Sequence, residues 1–134
     1  MQRILIAGAG YLGLALAERL SQKYEVLLAR RTPSQSGPLK TFACDFSDGE
    51  TLKDLPPVDA VYYAASADDG SDAAYERVYW KGLKNLVDQV KTQSHPPRFY
   101  LASSTSAYAA KHGEEVDETS SELERESASR FIVA

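Results

Sequence analysis

Several residue types are scarce in this 134-residue chain: one cysteine, one methionine, one tryptophan and two histidines. Each scarcity closes off a class of protein. Cys44 alone cannot build an intramolecular disulfide framework and fits a reducing compartment, so a cytoplasmic location is expected. His95 and His112 are isolated, and no Cys/His/carboxylate spacing suggests a metal site. No apolar stretch approaches the roughly 20 residues that a membrane span needs. A cleavable signal is not expected either, because the first apolar run, Ile4-Leu5-Ile6-Ala7, begins almost at once and ends in glycines. A net charge of −4 argues against a nucleic-acid binder driven by bulk electrostatics. With 43% hydrophobic and 25% charged residues, the chain reads as one soluble globular domain.

The charge is unevenly placed. Residues 1–111 hold 13 basic and 12 acidic groups, whereas residues 112–134 hold 2 basic and 7 acidic ones. The stretch about 112–126 is expected to be a solvated acidic loop leading into a surface helix, in preference to an interaction segment. The last residues, Arg130-Phe131-Ile132-Val133-Ala134, are apolar and helix-compatible and carry no stop signal, so the chain is expected to end inside an element.

Apolar runs and punctuation alternate regularly. Residues 2–7, 25–30, 40–44, 58–65 and 98–103 read as strands, the third of them short. Between the first two, residues 11–22 set Leu12, Leu16 and Leu20 on one helical face. Residues 31–39 form a Pro/Gly/Ser loop, and 48–54 a helical turn closed by Pro56-Pro57. A long helix over about 72–93 carries Val78, Leu83, Leu86, Val87 and Val90 as an apolar stripe, and Pro96-Pro97 follows it. Strands that are continuously apolar and alternate with helices indicate a parallel sheet covered on both faces. The expected architecture is α/β, a doubly wound parallel sheet (the Rossmann fold) with strand order 3-2-1-4-5.

Gly8-Ala9-Gly10-Tyr11-Leu12-Gly13 is a G-x-G-x-x-G run placed between the first strand and the first helix, the context in which that pattern has meaning. Gly8 permits the turn, Gly10 lets the backbone approach a pyrophosphate, and Gly13 allows close helix–sheet packing. Amides at the helix start, together with the helix dipole, would stabilise the phosphates. A carboxylate about 20 residues downstream would accept from the ribose 2′-OH of NAD. Here Arg30-Arg31 stand at the end of the second strand, followed by Thr32 and Ser34. Guanidiniums cannot accept from a hydroxyl but can grip a 2′-phosphate, so NADP is favoured over NAD.

These residues resemble the short-chain dehydrogenase/reductase superfamily, in its extended or atypical branch of NAD-dependent epimerase/dehydratase-like proteins. The resemblance rests on Gly8–Gly13, Cys44-Asp45-Phe46, Val61-Tyr62-Tyr63-Ala64-Ala65, Gly82, and Leu101 through Tyr108, which is similar to the family's S-S-x-x-V-Y-G. Val116-Asp117-Glu118 resembles its V-D-E. Position 7 is Ala where the extended branch has the first Gly of G-x-x-G-x-x-G, which favours an atypical subgroup. The resemblance implies that Asp45 accepts from the adenine amino group, although an Asx-turn is an equal reading of that residue. It implies that Ala64, Ala65 and Ser66 line the cofactor beneath the ribose, that Ser103 sits at the nicotinamide end, and that Ser104 is the catalytic serine. It also implies a small-molecule substrate, such as a nucleotide sugar or a small carbonyl compound, and a long helix able to serve a homodimer.

The family's general acid/base needs a Tyr and a Lys four residues apart on one helix face, so that the ammonium lowers the phenol's pKa. No such pair follows Tyr108, where His112 stands four residues on, and Tyr79 replaces an Asn common on the family's long helix. Residues 1–134 are therefore expected to form an incomplete NAD(P)-binding domain of an atypical member, lacking later strands and a substrate region. The expected function is an NAD(P)-binding oxidoreductase or nucleotide-sugar epimerase/dehydratase-like protein. The alternatives are a non-catalytic dinucleotide-binding sensor module and an inactive fragment.

Overall fold

The computed structural model describes residues 2–32, 37–104, 108–109, 113–120 and 130–133. Five parallel strands form one sheet: β1 (Arg3–Ala7), β2 (Glu25–Arg30), β3 (Lys40–Ala43), β4 (Ala60–Tyr63) and β5 (Arg98–Leu101). Their order is β3-β2-β1-β4-β5, as the alternation of apolar runs predicts. The register places Leu5 between Leu27 and Val61, which makes β1 the centre of the sheet. Helix α1 (Tyr11–Leu20) joins β1 to β2. A 3-10 turn (Gly49–Leu52), with Asp48 accepting from the Glu50 amide at its start, precedes β4.

Because successive side chains on a strand point to opposite faces, β1 feeds two cores. Ile4 and Ile6 join Val26, Leu28 and Ala17 beneath α1. Leu5 and Ala7 join Leu52, Val61, Tyr63, Leu86 and Val90 on the other face. The leucine face expected for α1 is shifted: Gly13 and Ala17 are its buried residues, Leu16 and Leu20 flank them, and Leu12 is 48% exposed. Small residues at the centre let the helix backbone approach the sheet, which moves the leucines to the sides.

The long helix departs from regular winding. It consists of α2 (Asp72–Tyr75), a π-helical segment (Glu76–Gly82) and α3 (Leu83–Val90). Val78 and Leu83 are five positions apart, a spacing that 3.6 residues per turn would put on different faces. Hydrogen bonding from i to i+5 in the π segment brings both against the same core. Leu86 and Val90 are buried, while Val87, expected in the stripe, is 38% exposed at its margin. Short α4 (Arg130–Val133) packs near the π segment. The expected acidic loop is described only over 113–120, where Asp117 accepts from the Thr119 amide in a turn.

The two ends of the sheet differ in charge chemistry. At the N-terminal edge the charges satisfy one another: Glu25 meets both Arg3 and Lys40 at 3.3 Å, and the Arg3 amide donates to Asp59 at 2.7 Å. These guanidinium and ammonium partners hold the Glu25 carboxyl below its usual range. The C-terminal edge instead gathers charged groups around an opening.

Candidate functional site

That opening is a cleft of about 360 Å³ at the C-terminal ends of the strands, where the sheet order reverses between β1 and β4. Open α/β sheets take ligands in this crevice. The turn after β1 supplies Gly8, Ala9 and Gly10 to its lining, and the end of β2 supplies Arg30, Arg31 and Thr32. Cys44, Asp45, Phe46 and Ser47 come from the exit of β3, and Ala64, Ala65, Ser66 and Asp68 from the exit of β4. Arg77 and Val78 close the cleft from the π segment.

The Gly8–Gly13 turn is built by close approach. Gly8 has φ +113°, and a Cβ there would lie 2.6 Å from the Ala65 nitrogen. A Cβ on Gly13 would overlap the Gly8 carbonyl oxygen. The turn is pinned by the Gly8 amide donating to Ala29 O at 3.2 Å, and the Ala64 amide donates to Ala7 O at 2.8 Å. The backbone of Ala64 and Ala65 thus leaves no room for a side chain at position 8. Gly10 differs from the other two: among the described residues nothing lies within 4 Å of the place its Cβ would take. It is the N-cap of α1, with φ −77°, no capping side chain and no acidic residue in the first helical turn. The amide end of a ten-residue helix is thus presented to the cleft without a carboxylate of its own.

Asp45 uses Oδ1 locally, accepting from the Ser47 amide at 2.9 Å and from the Ser47 hydroxyl at 2.6 Å. The Asx-turn reading of this residue is therefore realised, within the cleft lining. The Ser47 hydrogen bonds, helped by the charges of Arg31 and Arg77, hold its carboxyl below the ordinary value. Cys44 is buried beside it. Burial foremost, and then the Asp45 charge, push its thiol up to about 12, so it presents no thiolate near neutral pH. Phe46 packs edge-on to Tyr63, and its carbonyl accepts from Asn85 Nδ2 at 2.8 Å, tying the β3 exit to α3.

The remaining expected site residues are dispersed. Tyr11 is 95% exposed and neither its side chain nor that of Leu12 lines the cleft; only their backbone amides face this end of the fold. Ser103 and half-buried Ser104 follow β5, one strand beyond β4, outside the cleft lining. Ser34, Lys111 and His112 lie outside the described residues. Asp68 and Arg77 belong to the cleft but escaped the sequence reading. Among the described residues no cluster could hold a metal ion, and no helix is long and apolar enough to cross a membrane.

Fold and site together define a doubly wound α/β domain with a ligand cleft at its topological switch point. The chain belongs to the NAD dependent epimerase/dehydratase family, whose model matches residues 4–130. No curated protein matches it significantly. Among solved structures it is similar to a Methylobacillus flagellatus protein assigned to the NAD-dependent epimerases/dehydratases, at 27% identity and TM-score 0.76, over 98% of this chain and 48% of the other. It is similar in fold to an Agrobacterium tumefaciens short-chain dehydrogenase/reductase superfamily protein with bound NAD, at 24% identity and TM-score 0.79, over 98% and 42% of the two chains. A third similar fold is the Helicobacter pylori ADP-L-glycero-D-manno-heptose-6-epimerase, at 21% identity and TM-score 0.75, over 98% and 47%. The chain spans about half the length of these structures.

Proposed function

We propose that the cleft holds a nicotinamide dinucleotide, NADP in preference to NAD, within an oxidoreductase or nucleotide-sugar epimerase/dehydratase-like protein. The observation that carries this reading is Gly10. Its missing side chain answers to no contact among the described residues, yet it stands at the open amide end of α1, where a bound pyrophosphate would need the backbone bare. In this reading Gly8, Gly10 and Gly13 shape the turn, and the backbone amides of Tyr11 and Leu12 help hold the pyrophosphate. Arg30 and Arg31 take the 2′-phosphate, because no carboxylate stands at the end of β2 to accept from a 2′-hydroxyl. Asp45 offers Oδ2 to the adenine amino group while Oδ1 stays with Ser47. Ala64, Ala65 and Ser66 give room beneath a ribose, Ser103 stands toward the nicotinamide end, and Ser104 hydrogen-bonds the reacting oxygen of the substrate. A bound nicotinamide supplies hydride exchange, and the protein supplies its orientation. The substrate class that fits the family is a small molecule, a nucleotide sugar or a small carbonyl compound.

Titration with NADPH and NADH, followed by fluorescence and thermal stability, tests this reading. Exchanging Arg30→Asp together with Arg31→Ser is expected to weaken NADPH by about tenfold or more, roughly 1.4 kcal/mol or more, and NADH by less than about threefold. Equal losses for both would refute the NADP assignment. A second reading is a dinucleotide-binding module without turnover. Binding with no turnover over nucleotide sugars and carbonyls would support it.

A further inference from the structure

Two cleft residues of opposite charge meet across the cleft. Arg31 Nη2 lies 3.4 Å from Asp68 Oδ2, and the side chains are 61% and 63% exposed. One follows β2 and the other follows β4, strands on either side of β1, so the pair spans the opening above the Gly8–Gly10 turn. A guanidinium presents a planar fork of N–H donors that suits a carboxylate and a phosphate equally. Arg31 therefore already carries, in Asp68, an anion of the kind it would meet in a 2′-phosphate.

Resting on the NADP reading above, we propose that Asp68 is a specificity-determining residue: it competes with the 2′-phosphate for Arg31 and so moderates the preference for NADP over NAD. The pair is solvent-exposed and weak, so a phosphate dianion displaces the carboxylate, at a cost that NAD does not meet. Asp68 thereby narrows the gap between the two cofactors that the two arginines open.

The test measures dissociation constants for NADPH and NADH on the full chain, its Asp68→Asn and Arg31→Gln variants, and the double variant. Asp68→Asn is expected to tighten NADPH by about three- to fivefold and NADH by less than about twofold. In the Arg31→Gln background the same exchange should leave the NADPH-to-NADH ratio unchanged. An undiminished gain in that background, or equal gains for both cofactors, would show that Asp68 acts as a diffuse charge, and would overturn the proposal alone. A loss of NADPH affinity in Asp68→Asn would also overturn it, since Asp68 would then be positioning Arg31 for the phosphate. If Arg31→Gln leaves the cofactor ratio of the parent chain unaltered, Arg31 does not hold the 2′-phosphate, and the NADP reading is then decided by the paired Arg30 and Arg31 exchange above. If neither cofactor binds, the dinucleotide reading fails, and each of these two results takes the proposal with it.

Discussion

Three glycines with one spacing have two different reasons to be glycine. Gly8 and Gly13 are held by the fold, one by its positive φ and its contact with Ala65, the other by the Gly8 carbonyl against which it packs. Gly10 has an ordinary φ and open space where a Cβ would be. The two kinds of glycine respond differently to the same methyl group. Gly13→Ala is expected to cost about 1–3 kcal/mol or more, because backbone must move to admit the methyl, and to lower Tm by about 5 °C or more. Gly10→Ala should shift Tm by less than about 2 °C, as for an unpacked surface position, while weakening NADPH by about tenfold or more. A Gly10→Ala protein with unaltered NADPH affinity would remove the main support for a bound pyrophosphate. The sequence pattern assigned each of the three glycines a task from its position alone, but the atoms that crowd Gly8 and Gly13, from β4 and from the turn itself, are visible only in the fold. Arg30, Arg31 and Asp45 were likewise legible, because each stands at the end of a strand. Asp68 and Arg77 were not, because each reaches the cleft from a segment with no motif of its own.

Elements were easier to foresee than their winding. Apolar runs bounded by Gly and Pro located all five strands and the crossovers, and so the strand order. The π segment was hidden, because hydropathy shows which residues are apolar and not how many backbone units separate them per turn. The segment is tied to β4: the Tyr63 hydroxyl donates to the Val78 carbonyl at 2.6 Å, inside the π segment. Gly82 makes room for it, since a Cβ there would stand 2.8 Å from that hydroxyl. A polar tip on a buried ring needs a partner, and a helix carbonyl of the π segment provides one. Tyr63→Phe is expected to destabilise the protein by about 1–2 kcal/mol, read as a lower urea midpoint. Amide exchange should quicken most around residues 76–83. An unchanged midpoint together with unchanged exchange would separate the tyrosine from the winding.

At the scale of the whole molecule, the core on the α3 side of the sheet is the larger of the two, and it borders the cleft through Tyr63 and Cys44. Both of these groups are acids that the fold keeps protonated. Burial raises the Cys44 thiol from an ordinary 9.0 to about 12, and burial also raises the Tyr63 phenol. A group whose folded pKa lies above its unfolded value stabilises the fold below the unfolded value, and that contribution is lost as pH climbs toward the folded one. For Cys44 the window therefore runs from about 9 to about 12. One unit above the unfolded value, near pH 10, its share of the loss is about 1.4 kcal/mol. Urea midpoints measured at pH 7 and pH 10 should differ accordingly, and Cys44→Ala should shrink the difference without abolishing it, because Tyr63 continues to contribute at higher pH. The same thiol should resist a disulfide reagent at pH 8 in the folded protein and react at once in urea. Rapid labelling of the folded chain, or a pH slope untouched by Cys44→Ala, would mean that this core opens to water more readily than its packing implies, and the cleft walls that Cys44 and Tyr63 support would open with it.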